Sequence, residues 1–348
     1  MTLAGICAAL IVVGLTAYAV LAGADFGAGF WDLTAGGPRR GERVRAMVLR
    51  SMSPVWEANH VWLIFVLVVL WTAFPVVFGS VMSTLYVPLF LAAVGIIFRG
   101  TAFALRGEAA TIGEARALGA TFALSSVLTP FCLAAALGGI ASGRVPVGNA
   151  VGAPFASWLN TTSAATGLLA VLTGAHLAAV YLAADSTRAG VPDLVAAFRV
   201  RALASGVAAG AAAIGGLVAQ HSDPRSLYDG LTSGWGVVCV VGSAAAGVTT
   251  LALVHGRRFD VARFTAAAAV GAIMVGWAVA QEPYALPSHL TVASAAAPHA
   301  TLVGLLASIA AGLLVVGPAL VMLYRLHLRG RLDPDMRPLV AGDGTAES

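Results

Sequence analysis

Nine stretches of the chain stay apolar for about 20 residues or more, the length an α-helix needs to cross the hydrocarbon core of a bilayer. They lie at 3–24, 54–78, 80–99, 117–140, 157–184, 200–220, 234–255, 262–281 and 300–325. Short connections rich in Gly, Pro, Ser, Asp and Arg separate them. The pattern predicts an all-α polytopic membrane protein with about nine transmembrane helices. They form one domain over residues 1–329, with no internal repeat at a fixed period. The polar tail at 330–348 is expected to be disordered. Gly36-Gly37-Pro38-Arg39-Arg40-Gly41 reads as a turn leading into a basic surface stretch. The run Gln281 to Pro287 reads as an outer turn or re-entrant piece.

The polar positions orient these helices. All 20 basic residues are Arg, and 18 of them fall in alternate connections and the C-terminal tail; the other side has only Arg144 and Arg225. Basic residues collect in cytoplasmic loops, so the N-terminus is predicted outside and the C-terminus in the cytoplasm. The alternation also supports nine spans, since one more or one fewer would scramble it.

Composition agrees with the pattern. The chain of 348 residues is 59% hydrophobic and 10% charged, against roughly 25% charged in soluble domains. Membrane lipid is the expected surrounding. The formal charge of +4 follows from loop arginines and does not suggest nucleic acid. Cys7, Cys132 and Cys239 lie in three separate apolar segments, without a Cys-x-x-Cys pair, so neither a zinc site nor a disulfide framework is read. The N-terminus has no basic region before its apolar run, and the first segment is read as a retained helix.

Candidate chemistry concentrates in two places. The first apolar segment ends in Gly23-Ala24-Asp25-Phe26-Gly27-Ala28-Gly29-Phe30, and the second opens with Ser53-Pro54-Val55-Trp56-Glu57-Ala58-Asn59-His60. Ionisable groups in such segments are costly and often mark a proton or ion route. Ser53 suits an N-cap and Pro54 the first helical position. Glu57 then falls near a helix N-terminus that favours a carboxylate, whereas Asp25, read at a helix C-terminus, is disfavoured there. The pair is expected to differ in proton affinity. Glu57 and His60 are three apart and share a helix face; His60 can relay protons and Asn59 can order a water. The plainer alternatives stay open: Glu57 as a cap-region acid, His60 as an interhelical hydrogen-bonding group, Asp25 as an interfacial acid. Gly23, Gly27 and Gly29 are expected to let a neighbouring helix approach closely. Arg99 ends the third segment on the same side, as an ion-pair partner for one of these acids or as a snorkelling basic residue. His176 in the fifth segment is read as bonded to a neighbouring helix in preference to a haem. The chain has no phosphate-cradling Gly loop, no Ser-His-Asp set and no metal-ligand cluster, so no catalytic residue or metal is assigned.

These residues carry a resemblance. Gly23 to Gly29, Ser53 to Ile64, Ala73-Phe74-Pro75, Phe98-Arg99-Gly100 with Phe103 and Arg106, and Pro283 to Pro287 resemble subunit II of cytochrome bd-type quinol oxidases, in order and spacing along nearly the whole chain. The resemblance implies an accessory subunit, itself free of haem, paired in the bacterial cytoplasmic membrane with a haem-bearing subunit I. Small single-helix subunits accompany some complexes, and some relatives hold a structural quinone here. The complex would oxidise quinol, reduce dioxygen to water and take protons from the cytoplasm, partly through Asp25, Glu57, Asn59 and His60. The chain departs from the family pattern at Ala22 and around Ser294, where relatives often carry acids, and in having Glu57 where some have Asp. A proton-coupled transporter using Asp25 and Glu57, or a purely structural membrane partner, are the alternatives from other classes.

Overall fold

The computed structural model describes residues 2–52, 56–106, 108 and 110–328. Within them the chain folds as helices α1 (Leu3–Leu33), α2 (Pro38–Met52), α3 (Trp56–Ala73), α4 (Pro75–Thr84), α5 (Tyr86–Leu105), α6 (Ile112–Ala141), α7 (Thr161–Arg188), α8 (Pro192–Gln220), α9 (Arg225–Leu231), α10 (Gly234–His255), α11 (Phe259–Gln281), α12 (Val292–Ala295) and α13 (His299–Leu328). A two-stranded antiparallel hairpin, β1 (Tyr284–Leu286) and β2 (Leu290–Thr291), precedes α12. In lipid every backbone N–H and C=O must be satisfied within the chain, which the long helices do.

Among the described residues, eight helices are long and apolar enough to cross a membrane: α1, α5, α6, α7, α8, α10, α11 and α13. The ninth expected span, 54–78, is interrupted. Helix α3 stops at Ala73, Phe74 leaves the helical region with φ −137° and ψ 62°, and Pro75 starts α4. Proline has no N–H to give and its ring pushes the preceding residue out of the α region. A second interruption at Leu85 separates α4 from α5. The described apolar part of α3, Asn59–Ala73, rises about 22 Å, short of a full crossing.

Other expected boundaries move as well. Helix α1 continues nine residues past position 24, so Asp25 lies inside it. α8 begins at Pro192, a residue suited to the first helical turn. The basic stretch after Gly36-Gly37 is itself helical: Val44, Met47 and Val48 of α2 are buried and share one face. The turn near Pro283 is the β1–β2 hairpin. Ser294 closes a capping box with Thr291 at the start of α12. Ser53, Pro54 and the Glu57 side chain, with the tail at 330–348, lie outside the described residues.

Helix α1 is the hub. It packs against α3 and α6 on one side and α7 and α11 on the other. α5 packs on α6; α7 pairs with α8 and α10 with α11; α13 packs against α3 and α1. One apolar cluster surrounds the C-terminal end of α1 (Ala28, Trp31, Phe122, Leu182, Phe198), a second its N-terminal end (Ala4, Cys7, Val69, Phe74, Leu286). The Arg-rich connections meet at the first of these ends. There Arg43 of α2 pairs with Asp193 of α8, and Arg188 of α7 lies 3.5 Å from Asp260 of α11. Arg144 and Asp223 pair at the opposite end.

Candidate functional site

The site forms where α1, α3, α5 and α6 meet, above the first apolar cluster. Asn59 is buried, 4% exposed, and its side-chain amide donates to the carboxylate of Asp25. Two sequence segments 34 residues apart thus meet through a polar contact inside an apolar bundle. Such a contact is strongly specified, because either group left alone there would lose a hydrogen bond it cannot replace. His60 follows on α3, with its ring edge-on to Tyr18 and Phe26 of α1 at 5.9 and 6.0 Å between centroids. Asp25 itself is partly buried.

Arg99 is 2% exposed and does not reach the surface. That overturns its reading as a snorkelling residue. Its Nη2 donates to the backbone carbonyl of Asp25 at 2.9 Å, and its Nε donates to Ser126 Oγ at 3.0 Å. Ser126 Oγ donates in turn to the Phe122 carbonyl at 2.6 Å. The guanidinium lies over the rings of Phe26 at 4.8 Å and Phe122 at 5.0 Å. Arginine is weakly hydrated, planar and able to stack, which makes it the cation best suited to such a pocket. The electrostatic attraction between Arg99 and Asp25 offsets part of the cost of burying both.

A second acid, unremarked in the sequence reading, completes the constellation. Asp32 is 3% exposed. Arg106 Nη1 donates to its Oδ2 at 2.7 Å, and Arg45 Nε lies 3.1 Å from its Oδ1. Arg106, just past the end of α5, also faces the Phe122 ring, at 5.6 Å, so one ring meets both Arg99 and Arg106. Asp25 and Asp32 are seven apart, two helical turns, and share a face of α1. That spacing is a usable signal, hidden because hydropathy alone ends the first segment at 24. It also changes the electrostatic argument. With α1 running to Leu33, Asp25 lies more than two turns from the helix end, beyond the reach of the terminal dipole.

The glycines of the first motif face other helices. A Cβ on Gly27 would fall 1.9 Å from the carbonyl oxygen of Gly174, and one on Gly29 would fall 2.2 Å from Ser126 Oγ. Gly174 abuts the carbonyl of Gly23 in the same way, at 2.8 Å. Close by, Trp31 Nε1 donates to the Ala175 carbonyl at 2.8 Å. His176 Nδ1 lies 2.9 Å from the Ala202 carbonyl of α8, a bond to a neighbouring helix. Among the described residues, no three His, Cys, Asp or Glu side chains group as a metal site. The arrangement brings a partly buried carboxylate, a buried amide and an imidazole together between α1 and α3.

The sequence matches the family model described as "Cytochrome bd terminal oxidase subunit II" over residues 3–327. It is 27% identical over 124 residues to cytochrome bd ubiquinol oxidase subunit 2 of Bacillus subtilis (strain 168), covering 36% of each chain. It is 32% identical over 99 residues to cytochrome bd-I ubiquinol oxidase subunit 2 of Escherichia coli (strain K12), covering 28% of this chain and 25% of that one. The matched stretches thus span about a third or less of these relatives. The fold superposes on a chain in the structure of bd oxidase from Geobacillus thermodenitrificans with a TM-score of 0.72, 24% identity, and coverage of 94% of this chain and 99% of that one. By a match that runs through nearly its whole length, the chain belongs to the cytochrome bd terminal oxidase subunit II family.

Proposed function

We propose that the chain is the haem-free accessory subunit of a terminal oxidase that couples quinol oxidation to the reduction of dioxygen to water. It braces a haem-bearing subunit I in the bacterial cytoplasmic membrane and supplies part of a route for protons from the cytoplasm. The redox groups belong to the partner; this chain's share is packing and proton handling. The Arg-rich end of the bundle faces the cytoplasm, as the bias of basic connections requires.

The observation that carries the reading is the Asp25–Asn59 hydrogen bond held beside buried Arg99. A carboxyl group can take and release a proton. Asn59 fixes its orientation, and Arg99 counters the charge left when the proton departs. His60, next on α3, is the following titratable group. Glu57 opens the same helix, where its position suits proton entry. Family membership supports the oxidase assignment.

The test is Asp25→Asn in the assembled complex. Quinol-driven oxygen uptake is expected to fall by at least about tenfold, a lower bound set below the roughly 100- to 10,000-fold that one positioned proton carrier contributes, while the haem absorption spectrum and assembly stay unchanged. Equal uptake in matched membranes removes the proton role. Substrate-dependent proton flux by this chain alone, in liposomes, would replace the oxidase reading with a transporter.

A further inference from the structure

We infer that the second half of the bundle carries a binding site for the headgroup of an anionic phospholipid, in the cleft between the α7–α8 turn and the α10–α11 turn. The cleft lies at the shared end of four spans and comprises two adjoining pockets. The larger holds about 510 Å³ and runs from Pro192 along Val195 to Arg199 and Val200. The smaller holds about 320 Å³ beside Arg258 and Asp260. Thr187, Arg257 and Phe259 line both.

Charge selects the class of ligand. Among the described residues, neither Arg257 nor Arg258 pairs with an acid. Arg199 is spent on capping α10: its Nη2 donates to the His255 carbonyl at 2.7 Å and its Nε to the Val254 carbonyl at 3.2 Å. The one lining carboxylate, Asp260, lies within reach of Arg188 at 3.5 Å and Arg263 at 3.6 Å. The cleft is therefore left with uncompensated positive charge at the boundary of the hydrocarbon, where an anionic headgroup resides.

The backbone puts Arg257 there at a conformational cost. Helix α10 ends with the Arg258 N–H bonded to the Leu253 carbonyl at 2.8 Å and the Arg257 N–H to the Val254 carbonyl at 3.2 Å. This is the Schellman ending, whose left-handed residue is usually glycine. Here that residue is Arg257, at φ 59°, although a glycine stands one position earlier. Strain of this kind often marks a site of function.

A soluble anion would need only the charges. A lipid also needs a path for its chains, and the cleft has one. Val200 lies at its edge, and Val200, Val207 and Ile214 follow at seven-residue spacing on one face of α8, each more than 60% exposed. This stripe is about 21 Å long, more than the roughly 15 Å depth of one leaflet's hydrocarbon.

The experiment uses the complex purified through this chain, with dioleoyl phosphatidylglycerol as probe and native mass spectrometry as readout. Arg257→Gly gives the position its preferred residue, so folding is expected to be unharmed; Arg258→Gln is the second variant. Each alone is expected to weaken retention of the tightest-held phosphatidylglycerol about fivefold, and both together on the order of thirtyfold. Dioleoyl phosphatidylcholine is expected to bind wild type and variants alike. Equal phosphatidylglycerol retention in wild type and double variant would overturn the site, including the case in which a polypeptide fills the cleft. Displacement of the lipid by excess inorganic phosphate would assign the cleft to a soluble anion and overturn the lipid.

Discussion

Arg106 grips Asp32 with both terminal nitrogens, at 2.7 and 3.4 Å, tying the end of α5 to the end of α1. Arg45 of α2 reaches the same carboxylate. Three helices therefore converge on one acid that is almost fully buried. Removing an acid of this kind leaves its cations without compensation, a loss of about 3–5 kcal/mol for fully buried groups. Both arginines retain some solvent contact, which places Asp32→Ala toward the lower end. The expected outcome is earlier thermal unfolding of the purified complex, with α2 released first to limited proteolysis at its arginines. An unchanged melting temperature would mean that the clamp is ornamental.

Arg99 makes a different demand. It needs a planar fork, because Nε and Nη2 serve Ser126 and the Asp25 carbonyl at once while the face of the guanidinium meets Phe26 and Phe122. Lysine keeps the charge but has neither fork nor plane. Arg99→Lys is expected to leave a buried acceptor unmet and to destabilise the complex by about 1–3 kcal/mol, measured by denaturation against wild type. A loss equal to that of Arg99→Ala would show that charge alone contributes nothing.

Asn59→Leu tests the proton-handling site without touching a titratable group. Leucine fills the buried space but cannot donate to Asp25. If Asn59 orients the carboxyl group, oxygen uptake is expected to fall roughly three- to tenfold, about 1 kcal/mol or a little more for one lost hydrogen bond, with haem content constant. Asn59→Gln, which restores a donor, should recover part of the rate. Loss of haem along with activity would assign Asn59 to assembly instead.

The two motifs that meet in this site were legible because charge and amide are rare in apolar runs: Asp25, Asn59 and Arg99 stand out by type alone. Asp32 did not stand out. A chain read by hydropathy ends its first helix at the first cluster of glycines and acids, whereas the folded helix runs on because its glycines face α7 and α6 and are covered by them. The partners Ser126 and Phe122 carried no signal, since a serine or phenylalanine in an apolar helix is ordinary until an arginine is seen against it. Pro75 was visible, yet the apolar run passed through it without a change of hydropathy. Helix α2 was hidden by five arginines that mask the buried spacing of Val44, Met47 and Val48.

The close approach of α1 to α7 gives the last test. A Cβ on Gly27 would sit 1.9 Å from a backbone oxygen of α7, at Gly174. Backbone cannot turn aside as a side chain can, so Gly27→Ala must part α1 from α7. The Trp31–Ala175 hydrogen bond one turn further along α1 would lengthen with it. Overpacking of this kind costs about 1–3 kcal/mol or more. Gly242 on α10 is the control: within this chain nothing lies within 4 Å of its added methyl, and Gly→Ala in an open helical position gains about 0.5–1 kcal/mol. Gly27→Ala is therefore expected to lower the yield and melting temperature of the complex and Gly242→Ala to leave them unchanged or raised. Tolerance of alanine at 27 would show that α1 and α7 can separate without penalty, and that α1 is not the hub about which the other helices are arranged.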